Sequence, residues 1–279
     1  MPNLLADHIL AQRIERSVAR DLTIYAETCA RLDPSLDVGL ESFAGGIALF
    51  LAPGSPVNMI FGAGFSGPVA PAEIDAVERF YAKRGARPAI SLSPLADESL
   101  VAQLGVRGWM VTDFENVLVR EVAGDLPAPA PGVLTRVAGD AEDRARWAEV
   151  SSRAFCAPEP PSAEVTRLAD AMAARDDVVL LVGSVDGADA GVGVLWVDGA
   201  LRWLLGDATL MEHRGRGVQS ALLAERMRLA TEAGCELAVM EARPGSTSQR
   251  NMERLGFRVV YTRVEMIAPP NRIKTKERP

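Results

Sequence analysis

The sequence predicts an α/β protein with two domains in tandem, and three observations carry that prediction. The chain has 279 residues, which at roughly 100–200 residues per domain suits two domains better than one. Val122 to Gly132 reads VAGDLPAPAPG, where alternating Pro and Ala favour an extended, semi-rigid segment with little capacity to pack. On either side of it the order of elements echoes. Leu104-Gly105-Val106-Arg107 and Leu255-Gly256-Phe257-Arg258 each stand between a short helix and a long final strand, and upstream of each a helix ends in Gly, at Gly85 and Gly234. Self-similarity of this length reads either as a duplicated domain or as common α/β turns used twice. The expected division is a first domain over 1–121, a linker over 122–132, a second domain over 133–268 and an unstructured basic tail over 269–279.

In chain order, Ala6 to Leu32 reads as a helix that stops at Asp33 and Pro34, because proline disfavours helical geometry in the residue before it. Gly46 to Ala52 and Val57 to Phe65 are short, apolar or β-branched, and bounded by Gly and Pro, as buried strands are. Pro71 to Gly85 is a helix with Pro early and Gly late. A strand over Pro88 to Leu92, a helix over Asp97 to Leu104 and a strand over Trp109 to Arg120 complete the first half. In the second half Ala141 to Phe155 and Ser162 to Arg175 are helical, and Val178 to Ser184, Ala190 to Val197 and Leu201 to Leu210 are strands. Val218 to Ala233 is an amphipathic helix with Val218, Ala221, Leu222 and Leu229 stacked on one face. A strand over Cys235 to Glu241, a helix over Ser246 to Leu255 and a strand over Phe257 to Ile267 close the chain.

Composition narrows the function classes. Hydrophobic residues make up 48% and charged residues 24%, which disfavours a disordered chain, a collagen-like repeat and a disulfide-stapled miniature. The net charge of −7 argues against nucleic acid and anionic membranes as partners. Cys29, Cys156 and Cys235 are odd in number and far apart, which points to a reducing cytoplasm and offers no metal or redox spacing. Charges interrupt the N-terminal apolar residues, so no signal-peptide core is expected, and no run approaches the roughly 18 apolar residues of a membrane span.

The segment His213-Arg214-Gly215-Arg216-Gly217-Val218-Gln219-Ser220 lies between a strand and a helix. Glycines at 215 and 217 let backbone N–H groups converge on one anion at the positive end of the helix, a geometry that suits a pyrophosphate. Arg214 and Arg216 add positive charge to an otherwise acidic protein. A Walker loop is excluded because no G-K-[ST] follows, and a dinucleotide fold is disfavoured without G-x-G-x-x-G after the first strand. On the motif alone, a Gly-rich turn with solvated arginines fits equally well.

With its flanking elements, this region resembles the GNAT superfamily of acyl-CoA-dependent N-acyltransferases. Arg214 to Gln219 falls on the family's [Q/R]-x-x-G-x-[G/A] loop, Leu255-Gly256-Phe257 on its L-G-F, and Phe257 to Ile267 on its long final strand. The resemblance covers residues 133–268 well, while the first half shares only element order. At Gly64-Phe65-Ser66-Gly67-Pro68 the loop has no arginine, and Pro68 has no N–H to donate. The chain thus looks like a tandem GNAT protein with a degenerate first domain, each domain a mixed, mostly antiparallel sheet flanked by helices.

The resemblance implies acetyl-CoA as cosubstrate and no metal. It implies that backbone groups of Arg214, Gly215, Arg216, Gly217, Val218, Gln219 and Ser220 hold the pyrophosphate, and that Asp207, Ala208 and Thr209 pair their main chain with the pantetheine arm where two strands splay. Gln219 departs from the usual Gly or Ala and either crowds the phosphate or points away. Ser248 and Asn251 read as cofactor contacts or as capping and solvated helix groups. The family's acid–base pair does not transfer: its strand positions are Trp203 and Leu205, and its Tyr position is Met252.

The remaining catalytic candidates are Asp207, on the strand face of Trp203 and Leu205; Glu241, at the next strand's end; and Tyr261, on the last strand. His213 reads as exposed, and the cysteines as structural thiols. Two functions follow. One is an N-acetyltransferase acting directly on a small-molecule amine or a protein amino group, with the first domain shaping the acceptor site or a homodimer interface. The other is a non-catalytic acyl-CoA-binding or interaction module.

Overall fold

The computed structural model describes residues 6–122 and 130–270, so most of the expected linker and all but the first two residues of the expected tail lie outside the described residues. Contacts within the chain divide it into two compact units. One comprises Ile24–Leu36 and Glu115–Thr262, and the other Asp7–Thr23, Asp37–Phe114 and the chain from Arg263. The first helix, α1 (His8–Leu32), contributes to both units. So do β5 (Met110–Glu121) and the last strand, β11 (Arg258–Ile267).

The unit built mainly from the first half of the chain contains β1 (Gly39–Phe43), β2 (Gly46–Phe50), β3 (Ile60–Phe61), α2 (Pro71–Ala82), β4 (Ala89–Leu92) and α3 (Glu98–Val106). Its sheet runs β1-β2-β3-β4-β11, antiparallel except where β3 meets β4. The core packs Phe50, Ile60, Ile74, Tyr81, Ile90 and Trp109, and Tyr81 donates its hydroxyl to the Leu49 carbonyl at 2.9 Å. The expected strand over Val57 to Phe65 is cut to two residues. Gly62 and Gly64 take φ of +69° and +91°, and a Cβ on Gly62 would lie 2.6 Å from the Glu15 carbonyl of α1, so the chain turns away there. α1 is anchored to β11 by a buried Glu15–Arg263 pair at 2.7 Å.

The other unit adds β6 (Val133–Val137), α4 (Ala141–Cys156), α5 (Ala163–Ala173), β7 (Val178–Val185), β8 (Ala188–Asp198) and β9 (Leu201–Thr209). After a short 3-10 turn at Met211–His213 come α6 (Val218–Glu232), β10 (Leu237–Ala242) and α7 (Thr247–Arg254). Within it the strands run β5-β10-β9-β8-β7-β6, antiparallel except β9 with β10. Leu181, Leu195, Leu204, Leu222, Met227, Met240 and Phe257 form the core under α6 and α7. Fully burying each Leu or Met contributes about 1.5–3 kcal/mol.

Strands β1 and β6 were missed by the sequence because they alternate poorly. Gly39–Phe43 exposes Glu41 and Ser42, and Val133–Val137 leaves Leu134 69% exposed. The remaining elements match their expected spans to within about three residues.

Each unit takes one strand from the opposite half of the sequence: Glu115–Glu121 lies beside β10, and Arg263–Ile267 beside β4. A chain beginning at residue 130 would therefore leave an edge of β10 unpaired and lose the α1 segment whose Tyr25 hydroxyl bonds the Leu168 carbonyl at 2.7 Å. Such a truncation should show no cooperative thermal transition by circular dichroism, whereas the full chain should. A sharp transition in the fragment would refute this strand assignment.

Candidate functional site

The site grows from an irregularity in β9. Strands β9 and β10 are paired in parallel only at Leu201–Trp203 with Leu237–Val239, and beyond Trp203 they part. Along its other edge β9 shifts register: Val192 faces Ala208 while Val194 faces Leu205, so Gly193 stands opposite both Gly206 and Asp207. One extra residue in one strand is a β-bulge, and Gly206 supplies its φ of +60°.

The bulge overturns the expected orientation of Asp207. Regular alternation places it on the face of Trp203 and Leu205. The extra residue turns it instead to the face of Leu204, where Leu204 packs with Leu223 and Met227 of α6 and Asp207 meets Arg226.

Arg226 is fully buried on α6, and the Asp207 side chain is 11% exposed. Its Nε donates to the Leu222 carbonyl at 3.1 Å, and its Nη1 to the Val194 and Leu205 carbonyls at 3.2 and 3.4 Å. Its Nη2 donates to Asp207 Oδ1. Burial pushes the Asp207 carboxyl above the usual carboxylate range, while the Arg226 charge and hydrogen bond pull it back down. Arg226 escaped the sequence reading, although its place four residues after Leu222 and eight after Val218 puts a charge on the apolar face of α6.

Beyond Thr209 the chain turns into the start of α6. Gly215 and Gly217 have φ of +76° and +85°, and Gly217 is the N-cap with no side-chain cap. Ala221 N–H bonds back to the Gly217 carbonyl at 3.0 Å, so the preceding N–H groups of Val218, Gln219 and Ser220 have no partner within the helix. Arg214 bonds the Thr209 carbonyl through Nε at 3.3 Å. Of the expected basic pair only Arg214 borders the cleft. The Arg216 side chain turns to Asp186 at 2.5 Å, so its charge, unlike that of Arg214, is spent on a neighbouring carboxylate.

These elements enclose a cleft of about 730 Å³. Asp207, Ala208, Thr209, Arg214, Gly215, Gly217, Val218, Gln219, Ser220, Ser248 and Asn251 all line it. Gln219 turns toward α7, where its Oε1 accepts from Asn251 Nδ2 at 2.9 Å. Ser246, not Ser248, caps α7, accepting from Gln249 N–H.

Glu241 and Tyr261 do not line the cleft. Met240 and Ala242 point into the core beneath α6 and α7, so alternation turns Glu241 to the opposite face, and Tyr261 is buried. The sequence also missed Phe155, at the end of α4 and 58% exposed, and the cleft-facing side of His213, whose Nδ1 is sealed with no hydrogen-bond partner among the described residues.

The corresponding turn in the other unit is closed. Val69 N–H donates to Ser99 Oγ at 2.7 Å, Ala70 N–H to the Glu73 carboxylate at 2.8 Å, and the Phe65 carbonyl accepts from Gln12 at 2.8 Å. A carboxylate already occupies the position where an anion would bind.

No protein-family model matches the chain, and no curated protein matches it in sequence. Solved structures share its fold. A GCN5-related N-acetyltransferase from Kribbella flavida superposes with a TM-score of 0.64 at 19% identity, covering 91% of this chain and 96% of that one. Another from Sphaerobacter thermophilus gives 0.58 at 18%, covering 71% and 68%. A tandem GNAT protein from the clavulanic acid biosynthesis pathway, without acetyl-CoA, gives 0.55 at 17%, covering 80% and 74%. The chain has the tandem GCN5-related N-acetyltransferase fold.

The buried pair holds the site together. Asp207→Asn should leave the Arg226 charge uncompensated and cost about 3–5 kcal/mol of stability. Adding Arg226→Met should recover part of that loss. Chemical denaturation of the three proteins checks this, and an unaltered midpoint for Asp207→Asn would refute the pairing.

Proposed function

We propose that the chain is an acetyl-CoA-dependent N-acetyltransferase acting by direct transfer to an amine, with its working site in the half from 133 to 268 and a degenerate first half over 1–121. The observation that carries this reading is the uncapped N-terminus of α6, flanked by Arg214, at the mouth of a cleft that leads to the parted strands β9 and β10. The residues fit the cosubstrate. Backbone N–H groups from Gly217 to Ser220 and the Arg214 guanidinium suit a pyrophosphate, and the free edge of β9 from Asp207 to Thr209 suits the amide-bearing pantetheine arm.

Acetyl-CoA supplies an activated thioester. The protein's part is to hold it between β9 and β10, to offer backbone N–H groups to its carbonyl, and to exclude bulk water. The acceptor is a small amine or a protein amino group, attacking as the free base in the cytoplasm.

Among the described residues, the titratable groups lining the cleft are Asp207, His213 and Arg214. Asp207 is engaged by Arg226, so water in the cleft takes the ammonium proton, with Asp207 as a hydrogen-bond acceptor at its edge. A second reading, a non-catalytic acyl-CoA-binding module, is favoured because neither Glu241 nor Tyr261 lines the cleft.

Gln219→Glu tests the cosubstrate. A carboxylate at the first turn of a helix does not harm the fold but repels pyrophosphate, so the apo melting temperature should hold while acetyl-CoA affinity falls at least about tenfold. Gly217→Glu should abolish binding. Equal thermal stabilisation of wild type and Gln219→Glu by acetyl-CoA would overturn the assignment.

Release of free CoA across an amine panel separates the two functions. Turnover on one or more amines is expected, and silence across a broad panel would select the binding module.

A further inference from the structure

The interactions of Arg226 converge on one place. Its side chain leaves α6, passes over Gly193 and meets the Val194 carbonyl, the Leu205 carbonyl and the Asp207 carboxylate, which surround the extra residue in β9. A bulge leaves part of the strand ladder unpaired, and here a guanidinium fills the gap. The fit is close: a Cβ on Gly193 would stand 3.0 Å from the Arg226 Cζ. No other residue type offers donors in a rigid fork able to reach three oxygens in different directions at once. Lys would carry the charge but not the geometry.

We propose that Arg226 is a positioning residue for acyl transfer, fixing the β9 bulge so that the strand edge meets the thioester at a set height and tilt. The inference rests on the acetyl-CoA reading of the cleft and goes beyond it, because it assigns a role in the chemistry to a buried charge that touches no substrate. A group that merely bolted α6 to the sheet would affect stability. A positioning group also sets how strongly the backbone polarises the thioester carbonyl.

Isotope-edited infrared spectroscopy of [1-13C]acetyl-CoA reads that polarisation without an acceptor. Bound to the wild type, the carbonyl band should shift from its position in solution. Arg226→Lys should still bind acetyl-CoA, with the shift reduced by more than about half. Gly193→Ala, which keeps every charge and displaces the guanidinium by a few tenths of an ångström, should give a smaller change in the same direction. A band in Arg226→Lys identical to that of the wild type would overturn the inference and leave acetyl-CoA binding intact. If Arg226→Lys fails to fold or bind, Gly193→Ala decides, and an unchanged band there overturns it. Absence of acetyl-CoA binding by the wild type would overturn the cosubstrate reading itself.

Discussion

A single buried charge orders the site. Arg226 is enclosed entirely by protein, and a guanidinium cannot shed its proton, so the surroundings must supply a counter-charge and acceptors. Asp207 supplies the first, and three backbone carbonyls supply the others. Meeting that demand ties α6 to β8 and β9 at once. It stabilises the bulge, turns Asp207 to the α6 face and fixes the direction of the helix whose N-terminus opens on the cleft. Small residues let α6 come this close: a Cβ on Gly183 or Gly191 would lie 2.9 or 2.8 Å from Val218 Cγ1.

The two halves of the sequence use the same order of elements to opposite ends. After β9 the turn leaves the N–H groups of Val218, Gln219 and Ser220 without a partner in the helix and its glycines in left-handed conformations, and it borders a cleft. After β3 the turn is filled: Ser99 and Glu73 accept from the Val69 and Ala70 N–H groups that an anion would need. The difference lies in side chains that cap from a distance in sequence as much as in the lost arginine.

Much of the fold was legible because its signals are local. Pro71 starts a helix whose end Gly85 follows, Gly234 follows the end of another, and the Val218 stripe marks a buried face. The left-handed turn ahead of α6 was legible for the same reason, since Gly215 and Gly217 declare an unusual backbone. What stayed hidden depends on partners remote in sequence. Regular alternation put Asp207 on the wrong face because a bulge is a property of two strands, not one. Arg216 looked equivalent to Arg214 until Asp186, thirty residues away, drew it off. Glu241 and Tyr261 were plausible acids or bases by type alone, and packing removes them from the cleft.

A crystal structure of the full chain with acetyl-CoA would show where the cosubstrate sits. The pyrophosphate is expected on the N–H groups of the turn from Gly215 to Ser220, the pantetheine arm along β9 from Asp207 to Thr209, and the sulfur in the gap between β9 and β10. A cosubstrate seated elsewhere, or β9 and β10 drawn together into a continuous ladder beyond Trp203, would contradict this placement.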